Sequence, residues 1–212
     1  MEPYTIDASK ISLDQFQKLT LTKRLLPGRV ILQEKMSERF TLLKDAGISN
    51  LGQLIRILGS KAKITRFALQ HRIPSEYLVI LKREAGSYLA RPFKLSEFPG
   101  IPFEFTEALK SKGIRNTKEF FEWVQVENQR EELAGKTGIP SHRLLELFAL
   151  CDLSRITGVG GTFACVIYES GIRSTEEFAN LTTADFSTEE DLRYCVGYAK
   201  IIVECGRKEI QL

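Results

Sequence analysis

A chain of 212 residues with 43% hydrophobic and 27% charged residues has the make-up of an ordinary globular protein, and it holds no apolar run approaching the ~18 residues that span a membrane. The opening "MEPYTIDASK" lacks a basic start followed by an apolar core, so no secretory signal is expected and the expected location is the cytoplasm. The formal net charge of +3 is spread unevenly, at +8 over residues 1–92, −1 over 93–155 and −4 over 156–212, so the first part suits a polyanion and the last repels one.

In chain order, the first helix signal is Ser12 with Gln15, a capping pair followed by Phe16 and Leu19 at helical spacing. The segment "LPGRV" (26–30) breaks the chain, and the pattern predicts a longer helix from about Ile31 to Ala46. Gly47 then opens a unit that recurs. "LLKDAGISNLGQL", "ALKSKGIRNTKEF" and "VIYESGIRSTEEF" share glycines Gly47, Gly113 and Gly171, each followed by Ile48, Ile114 or Ile172. Asn50, Asn116 and Ser174 follow at one fixed distance, and Gln53, Glu119 and Glu177 at another. Glycine just past a helix takes the left-handed conformation, and the isoleucine packs back on the last turn. The Asn or Ser caps a new helix, and the Gln or Glu reaches back to that cap residue. Flanking apolar positions repeat as well. Phe105, Ala108 and Leu109 match Phe163, Val166 and Ile167, with Arg39 replacing the phenylalanine before Leu42 and Leu43. Leu54 and Ile55, Phe120 and Phe121, and Phe178 and Ala179 follow the caps. These stripes read as core.

Basic residues gather in the first third. Lys23, Arg24 and Arg29 lie around "KRLLPGR"; Arg56, Lys61, Lys63 and Arg66 lie in "RILGSKAKITR", with Arg72 just beyond. A second pairing, "RIPSEYLVIL" (72–81) with "GIPSHRLLEL" (138–147), has the separation that divides Gly47 from Gly113. Each reads as a proline-containing turn into an apolar-faced helix, with Ser75 and Ser141 as caps. The third copy is shorter, its helix predicted to start at a Ser187 cap closed by Glu190, with Gly197 inside it.

Upstream of Gly113 and Gly171, Gly100 and Gly158 stand at matching positions. "LSRITGVGGTFACVIYESGIRSTEEF" (153–178) resembles a helix-hairpin-helix motif. The chain from about Leu21 resembles a tandem bacterial family of this type, known as a domain of unknown function. The resemblance implies sequence-independent DNA binding. Val159 would lock the hairpin, Gly158 and Gly160 would permit the bend, and the N–H groups of Gly160, Gly161 and Thr162 would face a phosphate at a helix start. The Thr162 hydroxyl and the Arg155 charge would add to that grip. A purely structural turn explains the same glycines. Gly160 is matched in the middle repeat by Pro102, which has no N–H to donate.

The loop lacks the third glycine of a dinucleotide fingerprint, and G-x-x-x-x-G-K-S/T does not occur. Cys151, Cys165, Cys195 and Cys205 form no C-x-x-C pair, and His71 and His142 sit at no metal-ligand spacing from them, so reduced, mostly buried thiols and no metal or cofactor are expected. No nucleophile–base–acid set is readable, and no enzyme is expected.

The sequence therefore predicts an all-α fold of three consecutive helix-hairpin-helix-like units of short helices, 1–92, 93–155 and 156–212, with SAM/helix-hairpin-helix-type packing and no sheet. The expected function is backbone binding of DNA or RNA through Arg155, Gly158, Gly160, Gly161, Thr162, Lys61, Lys63 and Arg66. The alternative is a scaffold whose hairpins are structural only, meeting an acidic protein partner or a second copy of itself. No membrane partner is expected.

Overall fold

The computed structural model describes residues 2–22, 25, 27–181 and 190–207. It is all-helical among these residues, with two isolated antiparallel backbone pairings, Ser12 with Asn50 and Lys94 with Asn116. Lys23, Arg24 and the Ser187–Glu190 box lie outside the described residues or side chains. The chain forms two compact units, one of residues 7–89 and one joining residues 1–6 to 90–212.

The 7–89 unit holds a 3-10 turn at Ala8–Lys10, α1 (Leu13–Thr22), a second 3-10 segment at Pro27–Gln33, α2 (Met36–Asp45), α3 (Leu51–Ile57), α4 (Lys61–His71) and α5 (Ser75–Gly86). The other unit holds a 3-10 turn at Leu95–Glu97, then α6 (Phe103–Ser111), α7 (Thr117–Trp123), α8 (Glu127–Thr137), α9 (Ser141–Leu153), α10 (Gly161–Glu169), α11 (Thr175–Ala179) and α12 (Glu190–Arg207). The boundary expected at residue 92 falls between 89 and 90, and residues 2–6 pack on the other side of it. The boundary expected between 155 and 156 lies inside the 90–212 unit, where Asp152 of α9 accepts from the first N–H of α11.

The three Gly-Ile turns are closed by matching hydrogen bonds. Gly47, Gly113 and Gly171 have φ of 80°, 83° and 100°. Their N–H groups donate to the carbonyls of Lys44, Lys110 and Tyr168, while those of Ile48, Ile114 and Ile172 reach back to Leu43, Leu109 and Ile167. This pair of bonds closes α2, α6 and α10 in Schellman motifs. Asn50, Asn116 and Ser174 then accept from the N–H groups of Gln53, Glu119 and Glu177 at 2.9, 2.9 and 3.1 Å. The reciprocal half is displaced by one residue from expectation. Gln53, Glu119 and Glu177 accept from the N–H groups of Ser49, Arg115 and Arg173, the residues before the caps. Ser12 and Gln15 do form the reciprocal box as expected. Alanine in place of Gly47 or Gly113 meets no atom within 4 Å, so its cost is backbone strain alone. Each substitution is expected to destabilise its unit by about 1–2 kcal/mol, read from the urea midpoint.

Three local expectations need correction. The helix predicted from Ile31 begins at Met36, because Pro27–Gln33 winds as 3-10 helix and Lys35 turns the chain at φ 45°. Ser75 and Ser141 are first helical residues, and the cap positions belong to Pro74 and Pro140, which follow left-handed turns at Arg72 and Gly138. The stripes before the glycines are only partly core. Leu43, Leu109 and Ile167 are buried, whereas Val166 is 54% exposed. Arg39 replaces a phenylalanine by laying its guanidinium over the Tyr77 ring at 4.2 Å. Burial pushes the Tyr77 hydroxyl up to about 12.

Candidate functional site

The glycine loop and the basic cluster fall in different compact units. In the loop, Gly158 is left-handed (φ +94°) and Val159 is buried, its N–H bonded to the Ile156 carbonyl at 2.9 Å. Gly160 is the cap position of α10, Gly161 its first residue and Thr162 its second, and Gly160 and Thr162 are exposed. Among the described residues nothing accepts from the N–H groups of Gly160, Gly161 or Thr162, as expected at the start of a helix. The charge assigned to this loop is not there. Arg155 is 2% exposed, and its guanidinium donates to Asp152 at 2.7 Å, Glu2 at 2.5 Å and the Tyr4 carbonyl at 3.1 Å. It neutralises a buried carboxylate and cannot meet an anion from solvent.

Packing explains two of the loop's glycines. A Cβ on Gly161 would stand 2.7 Å from the Glu97 carbonyl oxygen, and one on Gly158 would stand 3.1 Å from Cys195 Sγ. Gly160 meets nothing within 4 Å. Cys151 and Cys195 are buried and Cys165 and Cys205 half-buried; burial pushes the Cys151 thiol well up.

The basic cluster is different. From residue 46 to 75 the sequence has no acidic residue and five basic ones, Arg56, Lys61, Lys63, Arg66 and Arg72. All five are exposed, and none makes an ion pair within the described residues. Arg29, grouped with this surface from sequence, is instead committed to the buried Glu84 at 2.6 Å. Ser60 caps α4 by accepting from the Lys63 N–H at 3.3 Å. Lys61 and Lys63 therefore sit in the first turn, where the helix dipole opposes positive charge by about 0.3–1 kcal/mol each. Helices of matching length elsewhere in the chain carry opposite charges at corresponding positions. α3 and α7 correspond residue for residue, as do α4 and α8, and Arg56, Lys61 and Arg66 are matched by Glu122, Glu127 and Glu132.

Between α3 and α4 the surface dips into an open cleft of about 280 Å³. Ile57 and Phe67 give it apolar walls, and Arg56, Lys63, Arg66 and Gln70 complete the lining. Lys63 Nζ also donates to the Arg56 carbonyl at 3.4 Å, tying the two helices. Sequence reading found the cations by their clustering and missed Ile57, Phe67 and Gln70. Ile57 and Phe67 each read as a core position of their own helix, and only the fold brings them to one cleft between α3 and α4. The absence of acid over 46–75 was a readable signal for the whole face.

Among the described residues no helix is long and apolar enough to cross a membrane. No curated protein and no solved structure matches the chain. Residues 99–190, about two fifths of the chain from the Gly100 turn to the start of α12, match the family model described as "Domain of unknown function (DUF4332)".

Proposed function

We propose that this protein is a non-enzymatic helical module that binds the phosphate backbone of nucleic acid, without sequence preference, on the α3–α4 face. The observation that carries the reading is the exposed, acid-free run of five cations, none held in an ion pair among the described residues. A surface of this kind attracts a polyanion by releasing its counterions, and its affinity falls steeply with salt. The resemblance of residues 153–178 to a helix-hairpin-helix motif supports the same class of ligand. The loop at 157–162 would add N–H donors but no cation, since Arg155 is buried.

The test is fluorescence anisotropy of random-sequence DNA and RNA, single-stranded and duplex, at about 50 and 200 mM salt. Lys61→Ala, Lys63→Ala and Arg66→Ala together are expected to weaken binding about tenfold at the lower salt and to reduce the salt slope by about 1 to 2. Absence of binding at 50 mM to every probe would remove the reading.

A second reading is favoured by one observation, the inversion of charge at 56/122, 61/127 and 66/132. It supports self-association, with the α3–α4 face of one copy meeting the α7–α8 face of another. Lys136 and Lys118 already pair with Glu132 and Glu122, which weakens the acidic side. A charge-swap experiment tests it. Chains carrying Lys61→Glu with Arg66→Glu, and chains carrying Glu127→Lys with Glu132→Lys, would each sediment as monomers and would associate when mixed.

A further inference from the structure

The cleft between α3 and α4 does not look like a surface built for charge alone. A duplex backbone asks only for exposed cations, yet here the cations rim a depression walled by Ile57 and Phe67. Gln70 stands on the same lining with one amide donor group and one acceptor, the complement of a heterocycle edge. At about 280 Å³ the space lies just under the roughly 300–1,000 Å³ of sites that enclose a whole drug-sized ligand. It suits one flat ring, not a complete dinucleotide cofactor. The Phe67 ring also packs against the His71 ring, their centroids 4.2 Å apart.

Anionic groups flanking a flat, weakly polar ring are what a polynucleotide offers once a base leaves its stack. In a duplex every base is paired and stacked, and the cleft would stay empty over it. In a single strand the base enters at little cost, while its neighbouring phosphates reach Arg56, Lys63 and Arg66. Resting on the backbone-binding reading of this same face, we propose that the α3–α4 cleft receives one unstacked base of a single-stranded polynucleotide, so that the protein binds single strands in preference to duplex.

The experiment uses the full-length chain and three fluorescent probes of equal length, about 20 nucleotides. They are a mixed-sequence single strand, a strand of the same phosphate count without bases, and a duplex. The single strand is expected to bind about tenfold more tightly than the abasic strand, and more tightly than the duplex. Phe67→Leu is expected to bring the single strand down to the abasic level and leave abasic binding unchanged. Should Phe67→Leu fail to fold, Ile57→Ala is read in its place, and the wild-type comparison stands without either. Equal binding of single and abasic strands overturns the base site and leaves backbone binding intact. A duplex bound more tightly than the single strand does the same. An acidic peptide carrying an aromatic residue that binds more tightly than the single strand overturns it in favour of a protein ligand. Loss of all binding at low salt overturns this inference and the reading beneath it together.

Discussion

Replacing Arg155 with methionine is expected to destabilise the 90–212 unit by about 3–5 kcal/mol. The side chain is 2% exposed and sits over the Phe121 ring at 4.5 Å. It binds Asp152, while Glu2 and the Tyr4 carbonyl bring residues 2–6 onto the same guanidinium. Tyr4 is itself buried, its hydroxyl 2.8 Å from Thr117 Oγ1. Methionine fills similar volume but leaves the Asp152 carboxylate buried with the Thr175 N–H, at 2.7 Å, as its remaining partner. An unpaired buried charge, more than the loss of one ion pair, sets the size of the effect. The measurement is thermal unfolding followed by circular dichroism, with an expected fall of about 10 °C in the transition of this unit. The double variant Arg155→Met with Asp152→Asn removes the stranded charge and is expected to recover part of the loss. A double variant no better than the single one would show that packing, not charge, is at stake.

The same pair has a pH signature. Burial raises the Asp152 carboxyl above its ordinary 3.8, with the Arg155 charge and the Thr175 N–H pulling it partly back. A carboxyl raised in the folded state binds its proton more tightly there than in the unfolded chain. Its contribution is therefore best below 3.8 and is lost as pH rises through the folded value. Removing Arg155 takes away the largest lowering influence, so the folded value climbs further. The cost of Arg155→Met is expected to be smaller at about pH 4.5 than at pH 7, measured by urea unfolding at both. Asp7, whose carboxyl is lowered by bonds from the Ser9 hydroxyl and N–H, works in the opposite sense within the other unit.

What could be read from sequence was what the chain decides locally. A Schellman turn and the cap after it involve residues within a few positions of each other, so Gly47, Gly113 and Gly171 announced them. Lys35, left-handed without being glycine, gave no such sign, and the start of α2 was misplaced with it. Arg155 shows the other limit. Its position beside a glycine loop suggested an anion site, but its partner Glu2 lies 153 residues away. No local pattern reports a terminal segment folding back on α9. The three copies also solve one problem in different ways. The first N–H of α3 and of α7 is met by a passing backbone, the carbonyls of Ile11 and Phe93. The first N–H of α11 is met by Asp152. The buried ion network thus stands where the other two copies have a strand-like contact, a substitution visible only once the copies are overlaid in space.

The glycine loop offers the sharpest separation between packing and ligand. Gly161→Ala is expected to cost about 2–3 kcal/mol, because its new methyl would lie 2.7 Å from the Glu97 carbonyl oxygen and a backbone has to move. Gly160→Ala should differ from wild type by less than about 0.5 kcal/mol, or stabilise slightly, since φ is −89° and nothing lies within 4 Å. Urea unfolding of the two variants checks the pair. Their binding to the single-stranded and duplex probes then decides the loop's role. A phosphate drawn against the start of α10 needs the exposed face of Gly160 bare, so a methyl there would weaken binding in a fully stable protein. If Gly160→Ala binds as wild type does while Gly161→Ala is unstable, Gly161 serves the contact of α10 with residues 97–98 and the loop takes no part in binding.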